Sequence, residues 1–187
     1  GVFDDGRYWV VTVDYAKSGP TDLLMRITVE NAGPEAATLH ILPTLWYRNG
    51  WSWGYPDHER PQLRAAGDRV FGSSTRTGSL VFLGDGEPTV LLCDNETNEA
   101  RLFGKPSGFS YPKDGINDHV VAGQPTVNPD GTGTKSALHY TITVPPGGSH
   151  VMRVRLVGGE ATTEPVDVGS GFDQVIERRR AEADEFY

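Results

Sequence analysis

Three acidic clusters carry the residue types needed for acid–base chemistry: Asp94, Glu96 and Glu99 in DNETNE, Asp57, His58 and Glu59 in DHE, and Asp114 with Asp118 in KDGIND. Two carboxyl groups held in different protonation states can protonate a leaving oxygen and activate a water. Each cluster also has an ordinary explanation. Asp and Glu mostly lie in water, and DNETNE and DHE are expected to be solvated turns. In KDGIND, Lys113, Asp114, Asn117 and Asp118 surround Gly115, read as a backbone pivot, with Ile116 as an anchor. Asx residues beside Gly ordinarily bond their own turn, and the alternative is a polar loop end presented to a neighbouring domain or its ligand. DHE resembles a fragment of a metal site, but such a site needs about three protein ligands, usually with imidazoles among them. The other histidines, His40, His119, His139 and His150, lack ligand spacing. No metal and no cofactor is therefore expected, and nucleophile-elbow, P-loop and GxGxxG patterns are absent. Asn95 in NET matches a glycosylation acceptor by pattern alone. The single cysteine, Cys93, sits in the apolar run TVLLCD and reads as a buried, inert thiol. A lone thiol fits the cytosol, the expected location, without excluding secretion.

The stretch TLWYRNGWSWG concentrates Trp46, Trp51 and Trp53 of the chain's 4 tryptophans. A strand period puts Leu45 and Tyr47 on one face and Trp46 and Arg48 on the other. Asn49-Gly50 then marks a turn, after which Trp51 and Trp53 are expected to project together. A covered Trp buries about 200 Å², so something should cover these indoles. Three covers are open: the protein's own core, a sugar ring stacked on an indole, or an adjoining domain.

The elements that must position these residues are mostly strands. RYWVVTVDY and DLLMRITVEN alternate apolar and polar residues, with Gly-Pro reversals after each, and ATLHILPTLW is expected to return beside them as a third strand of a meander. DRVFGS, SLVFLGD, PTVLLCD and ARLFG read as short strands, and KSALHYTITV with SHVMRVRLV reads as a final hairpin around PPGG. The predicted fold is an all-β antiparallel two-sheet sandwich. Lys105 to Thr134 is too long and too rich in Gly, Pro and Asx for a hairpin connection. Its Phe109, Tyr111, Ile116, Val120 and Val121 point to an ordered, packed excursion. Phe172, Val175, Ile176 and Arg179 fall at helical spacing, with Asp173 in the first turn, which predicts a C-terminal helix leaving the sandwich as a linker. A formal charge of −8 gives no electrostatic support for a nucleic-acid or anionic-membrane partner. The longest apolar runs fall far short of the roughly 20 residues of a membrane helix.

Several long segments in order, FDDGRYWVVTVDYAK, DLLMRITVENAGPEAATLHILPTLWYRNGWSWG, KDGINDHVVAG, VNPDGTGTKSALHY and RRRAEADEFY, resemble the N-terminal region of bacterial glycosidases related to glycoside hydrolase family 63. That group includes processing alpha-glucosidase-like and mannosylglycerate-hydrolase-like enzymes. The resemblance implies a supersandwich-like domain over residues 1–170 and, from 171 to 187, the start of a linker helix toward a catalytic barrel of paired helices. It places the acid and base carboxylates in that barrel, so no catalytic residue is expected here and the sandwich alone is expected to be inactive. The implied partners are the catalytic domain of the same parent and, in the alternative, an oligosaccharide stacked on Trp51 and Trp53 as in an independent carbohydrate-binding module. Arg48, Asn49, Trp51, Trp53, Lys113, Asp114, Asn117 and Asp118 are the expected interface or substrate-proximal residues.

Overall fold

A computed structural model describes residues 3–55, 58–106, 108–159 and 166–187. The period-two runs form β1 (Trp9–Gly19), β2 (Asp22–Asn31), β3 (Ala37–Ile41), β4 (Thr44–Trp46), β5 (Gln62–Ala66), β6 (Arg69–Ser74), β7 (Gly78–Gly84), β8 (Thr89–Cys93), β9 (Thr132–Gly133), β10 (Lys135–Val144) and β11 (Ser149–Gly158). The helices are α1 (Glu99–Phe103), α2 (Gly115–Ala122) and α3 (Phe172–Phe186). A seven-stranded sheet runs β1-β2-β11-β7-β6-β5-β9, and a smaller one joins β3, β4 and β8 to β10. All strand pairs are antiparallel, so the chain has the all-β sandwich architecture its alternation predicts, with a C-terminal helix. Ile27, Val29, Met152 and Val154 of the large sheet meet Leu92, Leu138, Tyr140 and Val144 of the small one to make the main core. Each aliphatic side chain withdrawn there contributes roughly 1.5–3 kcal/mol.

The expected pairings are only partly realised. β1 and β2 form the predicted hairpin, Trp9 opposite Asn31 through Gly19 opposite Asp22. The third segment does not continue a meander: β11 takes the free edge of β2, and β3 crosses to the other sheet to pair with β10. Pro43 interrupts that segment, because a proline has no N–H for the ladder, and β4 resumes beside β10 at residues 135–137. The expected hairpin of β10 and β11 is also absent. These strands lie in opposite sheets and face each other across the core. The turn between them explains this. Pro146 followed by Gly147 at φ 67°, closed by Gly148 N–H to the Pro145 carbonyl at 3.0 Å, has the residue pattern of a type II turn. Such a turn splays the flanking strands instead of pairing them. Asn31, 3% exposed, fixes the crossover: its Nδ2 donates to the carbonyls of Val144 (2.9 Å) and Glu35 (2.7 Å), and its Oδ1 accepts from Gly33 N–H (2.9 Å).

ARLFG is helical, not extended. Asn98 Oδ1 accepts from Arg101 N–H at 3.0 Å at one end, and Gly104 closes the other, so Leu102 and Phe103 lie exposed on the single turn of α1. The excursion from Lys105 to Thr134 is ordered and packed over the described residues. Ile116 of α2 covers Leu91, Cys93 and Ala137 on the outer face of β8 and β10, with Tyr111, Val120 and Val127 around them. Val121 is exposed. Burial pushes the Cys93 thiol up to about 11, which leaves it protonated and inert.

α3 lies against the sandwich instead of departing from it at its first turn. Phe172 and Ile176 are buried on Ala16 and Leu24, with Val175 beside them. The register sets Arg26 directly opposite Arg153 on the face α3 covers, a repulsive pair in isolation. Carboxylates interleave with them: Asp14 (2.9 Å) and Glu177 (3.0 Å) on Arg26, Asp173 (2.6 Å) and Asp85 (3.4 Å) on Arg153. These ion pairs flank the short apolar stripe and orient the helix on it.

Two outcomes follow. Asn31→Ala should lower stability by about 2 to 3 kcal/mol, since it strands buried backbone groups at the crossover; urea unfolding should show a lower midpoint at unchanged slope. Asp173 is held below the ordinary carboxylate range first by the Arg153 hydrogen bonds and then by Arg26. A carboxyl with a depressed folded-state value contributes stability above the unfolded value and loses it as pH falls through the folded one. Asp173→Asn should therefore lower Tm slightly at neutral pH, the side chain being 47% exposed, and the two melting curves should converge in strong acid.

Candidate functional site

The indole stretch keeps its strand period only through Tyr47. Leu45 and Tyr47 pack on the main core while Trp46 faces outward, 56% exposed. After the Asn49-Gly50 turn, Trp51–Trp53 form a 3-10 turn, with Ser52 N–H donating to Asn49 Oδ1 at 3.2 Å. With about three residues per turn, side chains two apart point roughly 120° away from each other. The expected joint projection of Trp51 and Trp53 is therefore replaced by a division of roles. Trp51 turns inward and its Nε1 donates to Glu96 Oε1 at 2.7 Å. Trp53 stays 59% exposed, with the Arg48 guanidinium 5.6 Å from its ring centroid and Tyr55 edge-on at 6.0 Å.

Glu96 overturns the reading of DNETNE as a solvated turn. It is 2% exposed, and its Oε1 also accepts from Arg60 Nε at 3.3 Å. Its Oε2 is buried without a hydrogen-bond partner among the described residues. Arg60 Nη2 bonds Asp94, and the guanidinium lies 5.7 Å from the Phe109 ring centroid. Burial pushes the Asp94 carboxyl above its ordinary range, Arg60 opposes this, and the charge of Glu96 adds to it. A buried carboxylate is costly unless paired, so the Trp51 indole and Arg60 are what hold Glu96 in place.

The same segment joins the two predicted clusters. Asn49 Nδ2 donates to the Asn95 carbonyl (3.0 Å), and Asn95 Nδ2 donates to the Tyr47 carbonyl (2.8 Å). The Asn95 amide of the glycosylation pattern is thus committed to the fold. On the other side, Lys113 N–H donates to the Glu96 carbonyl (3.0 Å) and Lys113 Nζ to Thr97 Oγ1 (3.2 Å). Asn98 bonds Asp114, and Arg101 Nη1 reaches both Asp114 and Asp118 at 2.9 Å. Burial raises the Asp114 carboxyl, but the hydrogen bonds of Arg101 and Asn98 outweigh it and hold the group below its ordinary range. Asn117 is exposed and donates to Asp118 at 3.2 Å. KDGIND is therefore a helix start, not a turn: Asp114 precedes α2 and Gly115 opens it. Gly115 is needed for close approach, since a Cβ there would meet the Thr126 carbonyl oxygen at 2.1 Å.

Among the described residues, Arg48, Asn49, Trp51 and Trp53 are linked to Lys113, Asp114 and Asp118 through residues 94–98, a run whose composition reads as solvated. The polar run immediately after an apolar strand, DNETNE after TVLLC, was the available signal, but a polar residue's burial leaves no periodic trace. His58 bonds Arg76, Glu59 is exposed, and Asp57 lies outside the described residues. His40 Nδ1 and His139 Nε2 meet at 2.8 Å on adjacent strands. Among the described residues no group of three or more His, Cys, Asp or Glu is placed to hold a metal, and no helix is long and apolar enough to cross a membrane. Asp94, Glu96, Asp114 and Asp118 are each tied to a guanidinium or an indole, an arrangement that fixes a surface instead of freeing an acid and a base.

Trp51→Phe, which removes the indole donor from the buried Glu96, should cost about 2 kcal/mol in urea unfolding, whereas Trp53→Phe should stay within about 0.5 kcal/mol. Equal effects would remove the distinction between anchor and surface indole. Compared with models of known protein families and with curated proteins, the chain matches none.

Proposed function

We propose that this chain is a non-catalytic domain of a glycoside hydrolase acting on alpha-glucosides or related sugars, and that it docks on the catalytic barrel of its parent and helps shape the substrate pocket. The observation that carries the docking is the exposed aromatic pair of Trp53 (59%) and Tyr55 (52%), at a turn that Glu96 and Arg60 hold through Trp51. Aromatic side chains on a rigid support supply contact area at low entropic cost. The committed carboxylates support a supporting role over a chemical one. The assignment to glycosidases rests on the sequence resemblance alone.

The sugar-stacking alternative fits this surface less well. Trp51 is turned inward to Glu96, and Arg48 occupies one face of Trp53. Edge strand β1 offers a second apolar row, Val11 (51%), Val13 (41%) and Tyr15 (66%), which provides an internal comparison.

Co-expression of this chain with the barrel of its parent should give a complex on gel filtration. Trp53→Ala should weaken it by about tenfold or more, as expected of a central aromatic anchor, while Tyr15→Ala should leave it unchanged. Independent elution of the two parts would refute docking. Quenching of Trp fluorescence by maltooligosaccharides in the isolated chain would favour the carbohydrate-binding alternative.

A further inference from the structure

Beside the 3-10 turn lies a cleft of about 240 Å³ whose walls include Tyr47, Arg48, Trp51, His58, Arg76 and Thr77. Its charge is unusual for this chain. With a formal charge of −8, carboxylates are plentiful, and Arg26, Arg60, Arg101, Arg153 and Arg155 each hold at least one. Arg48 and Arg76 hold none among the described residues. Arg48 lies over the Trp53 ring, and Arg76 Nη1 donates to His58 Nε2 at 2.9 Å. Because a guanidinium only donates, His58 Nε2 is the acceptor in this pair. Among the described residues, most donors of both guanidiniums are left for a ligand. The rim adds the Thr75 hydroxyl and the Ser74 and Thr77 hydroxyls, which bond each other at 2.8 Å, while exposed Glu59 also reaches it. The wall is otherwise apolar, and the Tyr47 hydroxyl is buried in it beside Thr77.

We propose that this cleft binds a small organic oxyanion, a carboxylate or phosphate group carried on a ring or short carbon body. The head group sits between Arg48 and Arg76, whose planar forks match two oxygens of such a group. The body lies against Trp51. Stacking on Trp53 and bonding to His58 hold the two guanidiniums before the ligand arrives, which lowers the ordering cost of binding. The volume lies just under the usual range for drug-sized ligands and suits a molecule of few heavy atoms. The inference rests on the cleft's own residues and stands apart from docking on a barrel.

The test titrates the whole chain at low ionic strength with inorganic phosphate, with benzoate, and with benzyl alcohol as a neutral match, following heat and Trp fluorescence. Saturable millimolar or tighter binding of at least one anion is expected, with benzyl alcohol about tenfold weaker. Arg48→Gln and Arg76→Gln should each weaken the anion by about tenfold, while Arg178→Gln, on the exposed side of α3, should not. Saturation by phosphate alone assigns a phosphoryl head group, and by benzoate alone a carboxylate. Should either Gln variant unfold, Arg48→Lys and Arg76→Lys, which keep the charge but lose the fork, are read instead and should still weaken binding. No saturation by either anion, or an equal loss in Arg178→Gln, overturns the proposal.

Discussion

A carboxylate taken out of water must be given donors, and Glu96 imposes that constraint on the whole candidate region. At 2% exposure it draws in the Trp51 indole and the Arg60 guanidinium, and Arg60 in turn draws in Asp94. The backbone around Glu96 does the same for its neighbours, with Asn95 bonded to residues 47 and 49 and the Glu96 carbonyl bonded to Lys113. Three segments far apart in sequence are thereby fixed to one another at a single buried charge. Removing one partner of such a group costs more than the bond itself, because the other partner stays behind without solvent. The position of Trp53 follows from this: its neighbour two residues earlier is anchored, and the 3-10 geometry then leaves Trp53 facing water.

The two sheets show the same economy of placement at larger scale. Seven strands face a smaller sheet, so one layer cannot cover the other completely, and β1 keeps Val11, Val13 and Tyr15 exposed on the side that faces the core elsewhere. The outer faces are treated differently. α2 covers the outside of β8 and β10 with apolar contacts around Ile116, whereas α3 covers β1 and β2 with two buried residues and a lattice of ion pairs. Partly exposed ion pairs are individually weak, so α3 owes its docking to Phe172 and Ile176 and its orientation to the arginines.

Alternation along the chain was enough to read the fold class, because a half-buried strand has to alternate whatever its neighbour is. It told which face of β10 or β11 is apolar but not which strand lies beside it. Both PPGG and a true hairpin turn satisfy the same local pattern, and the positive φ of Gly147 after Pro146, which splays the strands, is a geometric fact with no periodic signature. The α1 segment differs from its expected strand for a related reason: Leu102 and Phe103 have the composition of a strand fragment, and the caps Asn98 and Gly104 make it a helical turn. At the site, the legible part was composition. Trp46, Arg48, Trp53 and the Lys113–Asp118 group stood out by type, whereas Glu96 did not, since its importance comes from contacts with residues 36 and 45 positions away.

Anchoring also explains how two different surfaces coexist around one short turn. Trp51 serves as a wall of the Arg48–Arg76 cleft on one side while its Nε1 bonds Glu96 on the other, so the indole that shapes the cleft is held by the charge that positions Trp53. Arg48 belongs to both surfaces, stacking on Trp53 and lining the cleft. A ligand in the cleft that moved Arg48 would change how much of the Trp53 face is covered, and a partner on Trp53 would restrict Arg48; any such coupling would be reciprocal, because it is a single free energy seen from either end.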